Sequence, residues 1–288
     1  MTQELQPNDT QGRLRLSLRT IVFSHYNEKA RWALDYYSVP YVEYRMMPFL
    51  HMAAMFSYRA KTQPAAGSVF VTPFLMATPE SASESKDVDP ITLNDSTAIL
   101  EFVSSEYSAK DSKDSKDSKD SGSSIKDIAA ATPLRKSLYT DDEATKAKIL
   151  ALEDRFDTIL GPHVRRFVYY HIINSPRSVG RSMGQHGNVG VLQAWLWSLF
   201  FPIIAFLLSK HLRITKESAA RSKDIVLREF GHVSRVLQTQ DSDQPYLVGN
   251  EFTAADMTWA SLGSLVVGIS EKDGYGAWLP KLDQFPEE

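Results

Sequence analysis

The chain has 288 residues, of which 43% are hydrophobic and 23% charged, and its formal net charge is −3. This composition is typical of globular proteins, and the small negative charge gives no general attraction for nucleic acid. Cysteine is absent, which excludes disulfides, thiolate metal sites and a cysteine nucleophile, so thiol chemistry would need a thiol supplied by a ligand. Residues 1–13 are polar and lack the apolar core of a secretory signal, so we expect a disordered leader and a cytoplasmic protein.

The first part of the chain alternates between strand-like and helix-like patterns. The patterns predict strands at residues 14–23, 40–45, 69–76 and 91–93, and helices at residues 27–37, 48–58 and 96–107. Such alternation is typical of an α/β domain, a small open sheet with helices on both faces. Residues 78–90 are acidic and rich in Ser and Pro, so we predict an enlarged hairpin loop there.

A Lys-Asp-Ser repeat then divides the chain. Residues 110–124 contain no apolar side chain, so this segment cannot bury enough surface to offset the entropy of ordering. We predict an interdomain linker at residues 109–138, with a docking or phosphorylated segment as the alternative. The second domain, residues 139–288, is predicted to be all-α. Its helices are expected at residues 140–171, 189–208, 216–237 and 253–267.

Two local signals shape this second domain. Gly161 and Pro162 should bend or interrupt the first long helix, because proline cannot donate a backbone hydrogen bond. Thr253 and Asp256 form a capping-box pattern at the start of the last helix, with Asp in place of the usual Glu or Gln.

The first candidate for chemistry is Ser24, which lies where the first predicted strand ends and a helical pattern begins. Ala30, Ala33 and Leu34 provide the apolar face of that helix. The N–H groups at a helix N-terminus are unpaired and the helix dipole is positive there, so an anion such as a thiolate is favoured beside the Ser24 hydroxyl. The alternative is that Ser24 only caps the helix.

Two further positions are candidates for ligand binding. Pro73 interrupts an apolar run, which indicates either a trans proline on an edge strand or a cis bond that turns the backbone outward. Outward-facing backbone groups could pair with a peptide-like ligand. Asp95 and Ser96 open a predicted helix, where they can cap it or bind a ligand carboxylate.

Taken in order, five segments resemble the soluble glutathione transferase family. They are SHYNEKARWAL, TPFL and NDSTAIL in the first half, and ALEDRFDTILGPHVRR and PYLVGNEFTAAD in the second. The matching region covers residues 14–267. The resemblance implies a thioredoxin-like glutathione-binding domain at residues 14–108, followed by an all-helical C-terminal domain.

The resemblance assigns roles to particular residues. It implies that Ser24 holds the glutathione sulfur, with Tyr26 as the alternative hydroxyl. His25 stands where the family usually has proline. By the same comparison Thr72 and Pro73, joined by a cis bond, would bind the cysteinyl backbone, although the family usually has Val at the position of Thr72. The pair Asp95-Ser96 would bind the γ-glutamyl end.

A second-substrate site is expected from the α-domain, after the Gly-Pro break. Its candidate residues are Arg165, Arg166, Tyr169 and Tyr170. Paired Arg beside paired Tyr would suit an anionic aromatic compound, and the alternative is a solvated helix face.

The function implied by the resemblance is conjugation of reduced glutathione, as co-substrate, to a small hydrophobic electrophile. It implies a cytoplasmic detoxification enzyme that forms a homodimer and needs no metal. The alternative is a non-catalytic glutathione transferase-like protein that binds ligands or partners, with or without membrane association.

Residues 189–208 have no charge over twenty positions, which meets the length criterion for a membrane span. Gln193, Ser198 and Pro202 weaken that interpretation, and a helix buried inside a globular domain is equally apolar. Because the resemblance places this segment within the α-domain, we predict a buried helix. Peripheral membrane contact and an apolar ligand groove remain as alternatives.

Overall fold

The computed structural model describes residues 14–52, 71–79, 90–108, 135–184, 187–239 and 246–280. The predicted leader lies outside the described residues, as do most of the predicted linker, most of the helix expected at residues 48–58, and most of the predicted hairpin loop.

The first half contains a four-stranded sheet with a helix after its first strand and another after its last. The strands are β1 (Leu14–Ile21), β2 (Tyr41–Met46), β3 (Phe74–Pro79) and β4 (Ile91–Leu93), and the helices are α1 (His25–Tyr36) and α2 (Ser96–Tyr107). The strand order is β2-β1-β3-β4, with β1 and β2 parallel and the other pairs antiparallel. The predicted α/β domain is confirmed.

Alternating burial explains why these segments form their elements. Leu16 and Leu18 of β1 are buried, as expected for a strand covered by helices, and Ala30, Ala33 and Leu34 of α1 are buried in the same hydrophobic core. Strand β3 begins at Phe74, opposite Arg19, and therefore later than the apolar run predicted. Its delayed start follows from Pro73, which has no N–H for the ladder.

The second half is all-α among the described residues, which confirms that prediction. It consists of α3 (Glu143–Arg155), a π-helical segment (Phe156–Leu160), α4 (Gly161–Asn174), α5 (Arg177–Ser182), α6 (Val191–His211), α7 (Lys216–Gln238), α8 (Ala254–Val267) and a 3-10 turn (Glu271–Asp273). Helix α8 has the predicted capping box. The Asp256 carboxylate accepts hydrogen bonds from the Thr253 N–H at 2.9 Å and from the Thr253 hydroxyl at 2.7 Å. The short helix α5 was not predicted.

The Gly-Pro sequence changes the helix type without ending the helix. Pro162 has no N–H, and the N–H of Gly161 donates to the carbonyl of Phe156, five residues earlier. The carbonyl of Asp157, which Gly161 would bond in an α-helix, is therefore released for another donor.

Residues from both halves share one hydrophobic core. The backbone N–H of Leu138 donates to the Tyr37 hydroxyl at 3.1 Å and to the Ser104 hydroxyl at 3.0 Å. At the start of α1, the buried Glu28 carboxylate accepts a hydrogen bond from the N–H of Gly276 at 2.8 Å. Glu28 is also paired with Arg31. The C-terminal segment is thereby fixed to α1.

The prediction of a buried helix at residues 189–208 is wrong. Of the 18 residues in the most apolar stretch of helix α6, only 22% are buried inside the protein. The buried side chains lie on one face and include Trp197, Phe201 and Ile204, while Leu192 and Trp195 are exposed. Periodicity could not reveal this, because an all-round apolar helix looks the same in sequence whether or not both faces are covered. Among the described residues, α6 is the one helix long and apolar enough to cross a membrane.

Candidate functional site

Ser24 occupies the tight connection between β1 and α1. Its N–H donates to the carbonyl of Ile21 at 2.9 Å, and its own carbonyl accepts from Asn27 and Glu28, which starts the helix. The backbone of Ser24 has the extended conformation of an N-cap, but its side chain makes no capping hydrogen bond. The hydroxyl is partly exposed and has no hydrogen-bond partner within the described ranges. It is therefore available to a ligand at the helix N-terminus.

His25 and Tyr26, the next two residues, point into the protein, where His25 contacts the first residue of α4 and Tyr26 contacts the π-helical segment. The His25 ring is buried, and its Nε2 lies 3.0 Å from the carbonyl of Gly161, so this nitrogen carries the proton. Burial, aided by the nearby Arg165 charge, lowers the pKa of His25 to about 3, so the ring is neutral at physiological pH.

The Tyr26 hydroxyl donates to the released carbonyl of Asp157 at 2.9 Å. Burial raises the pKa of this phenol well above its ordinary value, so it stays protonated. With its proton committed to a backbone carbonyl, Tyr26 has a structural role that Ser24 lacks.

Arg165, on α4, adds positive charge next to the Ser24 turn. Its positive charge lowers the pKa of His25 and acts against the burial that raises the pKa of Tyr26. Arg165 is half-buried and has no hydrogen bond or ion pair with any residue in the described part of the chain. An unpaired cation beside a helix N-terminus favours an anionic ligand.

The other second-substrate candidates are divided between two sides of α4. Tyr169 is buried on the same side as Arg165 and packs edge-on against Phe23, with ring centroids 6.2 Å apart. Burial raises the pKa of Tyr169 to about 12.

Arg166 instead contacts α7, where its guanidinium donates to the Ser222 hydroxyl at 3.4 Å. Tyr170 packs against His171. The structure therefore brings Arg165 and Tyr169 to the Ser24 turn and directs Arg166 elsewhere.

Thr72 and Pro73 lie just before β3 and are joined by a cis peptide bond, as the family resemblance implies. Strand β3 is an inner strand, which excludes the trans edge-strand alternative. The Asn27 amide donates to the Ile21 carbonyl at 2.8 Å and to the Thr72 hydroxyl at 3.3 Å, so it connects the Ser24 turn to the cis bond.

Asp95 caps helix α2. Its carboxylate accepts hydrogen bonds from the N–H groups of Thr97 at 2.9 Å and Ala98 at 3.0 Å, and the side chain is exposed. Ser96 is buried at the first helical position. Capping thus accounts for Asp95, as one of the two interpretations expects.

A buried polar cluster that sequence reasoning missed lies behind this turn. Lys29, fully buried on α1, donates to Thr97 at 2.7 Å and pairs with Glu153 and Asp157 at 3.0 Å each. The Tyr139 hydroxyl donates to the same Glu153 at 2.8 Å. These side chains are spread over residues 29 to 157, so no local spacing in the sequence could have identified the cluster.

A separate cavity of about 620 Å³ lies between β2 and the start of α6. Its lining includes Arg19, Glu43, Arg45 and Gln193, and none of the predicted site residues. No group of His, Asp and Glu suited to a metal ion occurs within the described ranges.

Solved structures with the same architecture are found at low sequence identity. The nitrogen regulation fragment of the yeast prion protein Ure2p is similar with a TM-score of 0.52 and 16% identity, over 93% of this chain and 90% of that one. The glutathione transferase Ure2p8 from Phanerochaete chrysosporium, solved with oxidized glutathione, is similar with a TM-score of 0.50 and 16% identity, over 93% and 87%. The chain has a glutathione transferase fold.

Ure2p in complex with S-hexylglutathione gives a TM-score of 0.52 and 17% identity, over 91% of this chain and 89% of that one. No protein-family model matches the sequence, and a search of curated proteins finds no match. At such identities the similarity shows the glutathione transferase fold alone, so activity has to be argued from the residues of the site.

Proposed function

We propose that the chain binds reduced glutathione at the Ser24 turn and conjugates it to a small hydrophobic electrophile, with the Ser24 hydroxyl stabilising the thiolate. The observation that carries this proposal is the unbonded hydroxyl on Ser24 at the start of α1, combined with the unpaired guanidinium of Arg165 on α4, whose charge acts on His25 and Tyr26 next to Ser24. Together with the helix N-terminus they favour a negative charge at this place.

The energies are sufficient for this role. Lowering the pKa of a thiol from about 8.5 by about 2 units requires about 2.7 kcal/mol. A hydrogen bond to a charged group contributes about 1.5–3 kcal/mol, and a helix N-terminus about 0.3–1 kcal/mol. One hydroxyl at one helix start therefore suffices without a metal or a general base, and the charge of Arg165 acts in the same direction.

The rest of glutathione would be bound by the groups that surround the turn. The backbone at Thr72 and Pro73 would pair with the cysteinyl unit, and the pair Asp95-Ser96 with the γ-glutamyl end. Support comes from structures of the same fold that contain S-hexylglutathione or glutathione.

For the electrophile, we propose a site between the two halves with Arg165 and Tyr169 in its wall. Arg166 and Tyr170 would lie further out, because Arg166 already contacts α7. A cytoplasmic detoxification role and a homodimer belong to the same proposal.

The test compares Ser24→Ala with Ser234→Ala, which removes the hydroxyl of an exposed serine on α7. For Ser24→Ala we expect turnover of a generic aromatic electrophile to fall about a hundredfold, the equivalent of about 2.7 kcal/mol, while calorimetry still detects glutathione binding. Ser234→Ala should match the wild type. Unchanged turnover in Ser24→Ala would remove Ser24 from the mechanism, and absence of glutathione binding by the wild type would refute the proposal.

A non-catalytic binding protein is the second candidate, and the cavity beside β2 favours it because it could hold a ligand apart from Ser24. Under this alternative the wild type binds a ligand but does not turn over the electrophile, whatever the residue at position 24. Turnover by the wild type that depends on Ser24 decides against it.

A further inference from the structure

Helix α6 presents an apolar surface to solvent. Trp195 is 60% exposed, Ile203 58% and Phe206 60%, and Leu192 and Leu199 are also exposed. At 100° per residue these five side chains fall within a single stripe along the helix, opposite the buried face that contains Trp197 and Phe201. Contiguous exposed apolar patches of this kind mark sites of interaction.

The helix is held flat against the protein by its buried face. Gln193 donates to the carbonyl of Arg45 at 3.1 Å and accepts from the N–H of Met47 at 3.1 Å, which fixes the start of α6 to the end of β2. The Trp197 indole donates to the carbonyl of Gly180 at 2.9 Å. Crossing a membrane would break these buried contacts, whereas lying in a membrane surface would keep all of them.

The charge of the surrounding segment indicates what α6 faces. Residues 158–216 contain seven Lys and Arg and no Asp or Glu, although the whole chain has a net charge of −3. Exposed cationic side chains follow the apolar stripe directly, at Lys210, Arg213 and Lys216. The Lys210 ammonium lies 5.8 Å from the centre of the Phe206 ring, so it ends the stripe on the same face.

We propose that α6 docks the protein onto an anionic lipid surface, with the exposed stripe inserted at the headgroup level and the cations bound to lipid phosphates or carboxylates. Apolar side chains next to Lys and Arg are typical of helices that lie in this interface. A second copy is a poorer occupant, since pairing α6 with itself would bring two acid-free basic segments together. This inference does not depend on glutathione binding.

The test is co-sedimentation of the full chain with vesicles of phosphatidylcholine alone or mixed with phosphatidylserine. We expect binding to the mixed vesicles, weakened by salt, and little binding to the neutral ones. Ile203→Glu should reduce binding at least about tenfold, because it places a charge in the inserted stripe. Leu227→Glu is the matched control, an apolar side chain on α7 that is 61% exposed, and it should bind like the wild type.

Charge reversal tests the electrostatic part. Lys210→Glu should weaken binding to the mixed vesicles about fivefold or more, and Lys223→Glu, on the exposed face of α7, much less. Three results would overturn the proposal: equal binding to neutral and anionic vesicles, resistance of the bound protein to alkaline extraction, or a dimer in solution that Ile203→Glu dissociates without any vesicle binding by the wild type. Because all of these variants are at exposed positions, we expect them to fold. Circular dichroism spectra that match the wild type will check this.

Discussion

The Tyr26 hydroxyl donates a hydrogen bond to the backbone carbonyl of Asp157 across 131 residues of sequence. That carbonyl is available because the N–H of Gly161 donates to Phe156, one residue further back, in the π-helical turn that precedes Pro162. The irregular turn of one half is thus the acceptor for the first helix of the other half, immediately behind Ser24. Irregular helical turns of this type occur frequently at functional sites.

Gly161→Ala tests this contact. A Cβ at this position would lie 2.2 Å from the Tyr26 hydroxyl oxygen, so the ring would have to move. We expect a loss of about 1–3 kcal/mol in the free energy of unfolding, measured with urea. Gly231→Ala, in α7, is the control. Its Cβ would meet nothing within 4 Å, and it should gain about 0.5–1 kcal/mol. Two variants of equal stability would contradict the contact.

Tyr26→Phe separates the structural role of this residue from catalysis. The variant leaves the Asp157 carbonyl without its donor, so we expect a loss of about 1–2 kcal/mol in unfolding free energy. Turnover with glutathione should be retained below the unfolding temperature, because the lost proton faces Asp157. A variant of wild-type stability that no longer turns over would transfer the thiolate role from Ser24 to Tyr26.

The low pKa of His25 predicts acid destabilisation. The unfolded chain binds a proton at His25 near its ordinary pKa of 6.5, whereas the folded chain does so only near about 3. Stability should therefore fall as the pH drops from 6.5 towards 3, and between about pH 7.5 and pH 5 the loss is about 2 kcal/mol. Urea unfolding at both pH values measures it. His25→Gln should remove this part of the pH dependence, and His211→Gln, at an exposed position, should keep it.

Lys29→Met should be among the most destabilising substitutions in the chain. It leaves Glu153 and Asp157 without their shared cation inside the protein, which costs about 3–5 kcal/mol. The control is Lys136→Met, which breaks an exposed ion pair with Glu251 and should cost less than about 1 kcal/mol. Thermal unfolding of both variants measures the difference.

A triple variant keeps this prediction testable if Lys29→Met does not fold. Adding Glu153→Gln and Asp157→Asn to Lys29→Met removes the unbalanced charges and should recover much of the stability. If the triple variant were less stable than Lys29→Met alone, the charge explanation would be wrong.

Local patterns predicted the fold and part of the site. Alternation of apolar residues located the strands, and the change to a helical period located Ser24 at the start of α1. The capping box at Thr253 followed from spacing alone. Such signals are local, and they do not depend on what the rest of the chain does.

Features that depend on distant neighbours could not be predicted in this way. Lys29 resembles any helical lysine until the Glu153 side chain is brought to it from the other half. The apolar composition of α6 does not reveal which of its faces other helices cover, and for this reason the sequence predicts a buried helix. Arg165 and Arg166 are adjacent in sequence, but the 100° between them directs one to the Ser24 turn and the other to α7.

The ionic contacts between the halves also restrict how the protein could be recombined. A chimera that took residues 14–108 from another protein of this fold without an equivalent of Lys29 would enclose two carboxylates lacking a counterion. A donor protein without an equivalent of Glu28 would also remove the carboxylate that accepts the hydrogen bond from the Gly276 backbone. The two halves are therefore expected to have changed together during evolution, and neither is an interchangeable module.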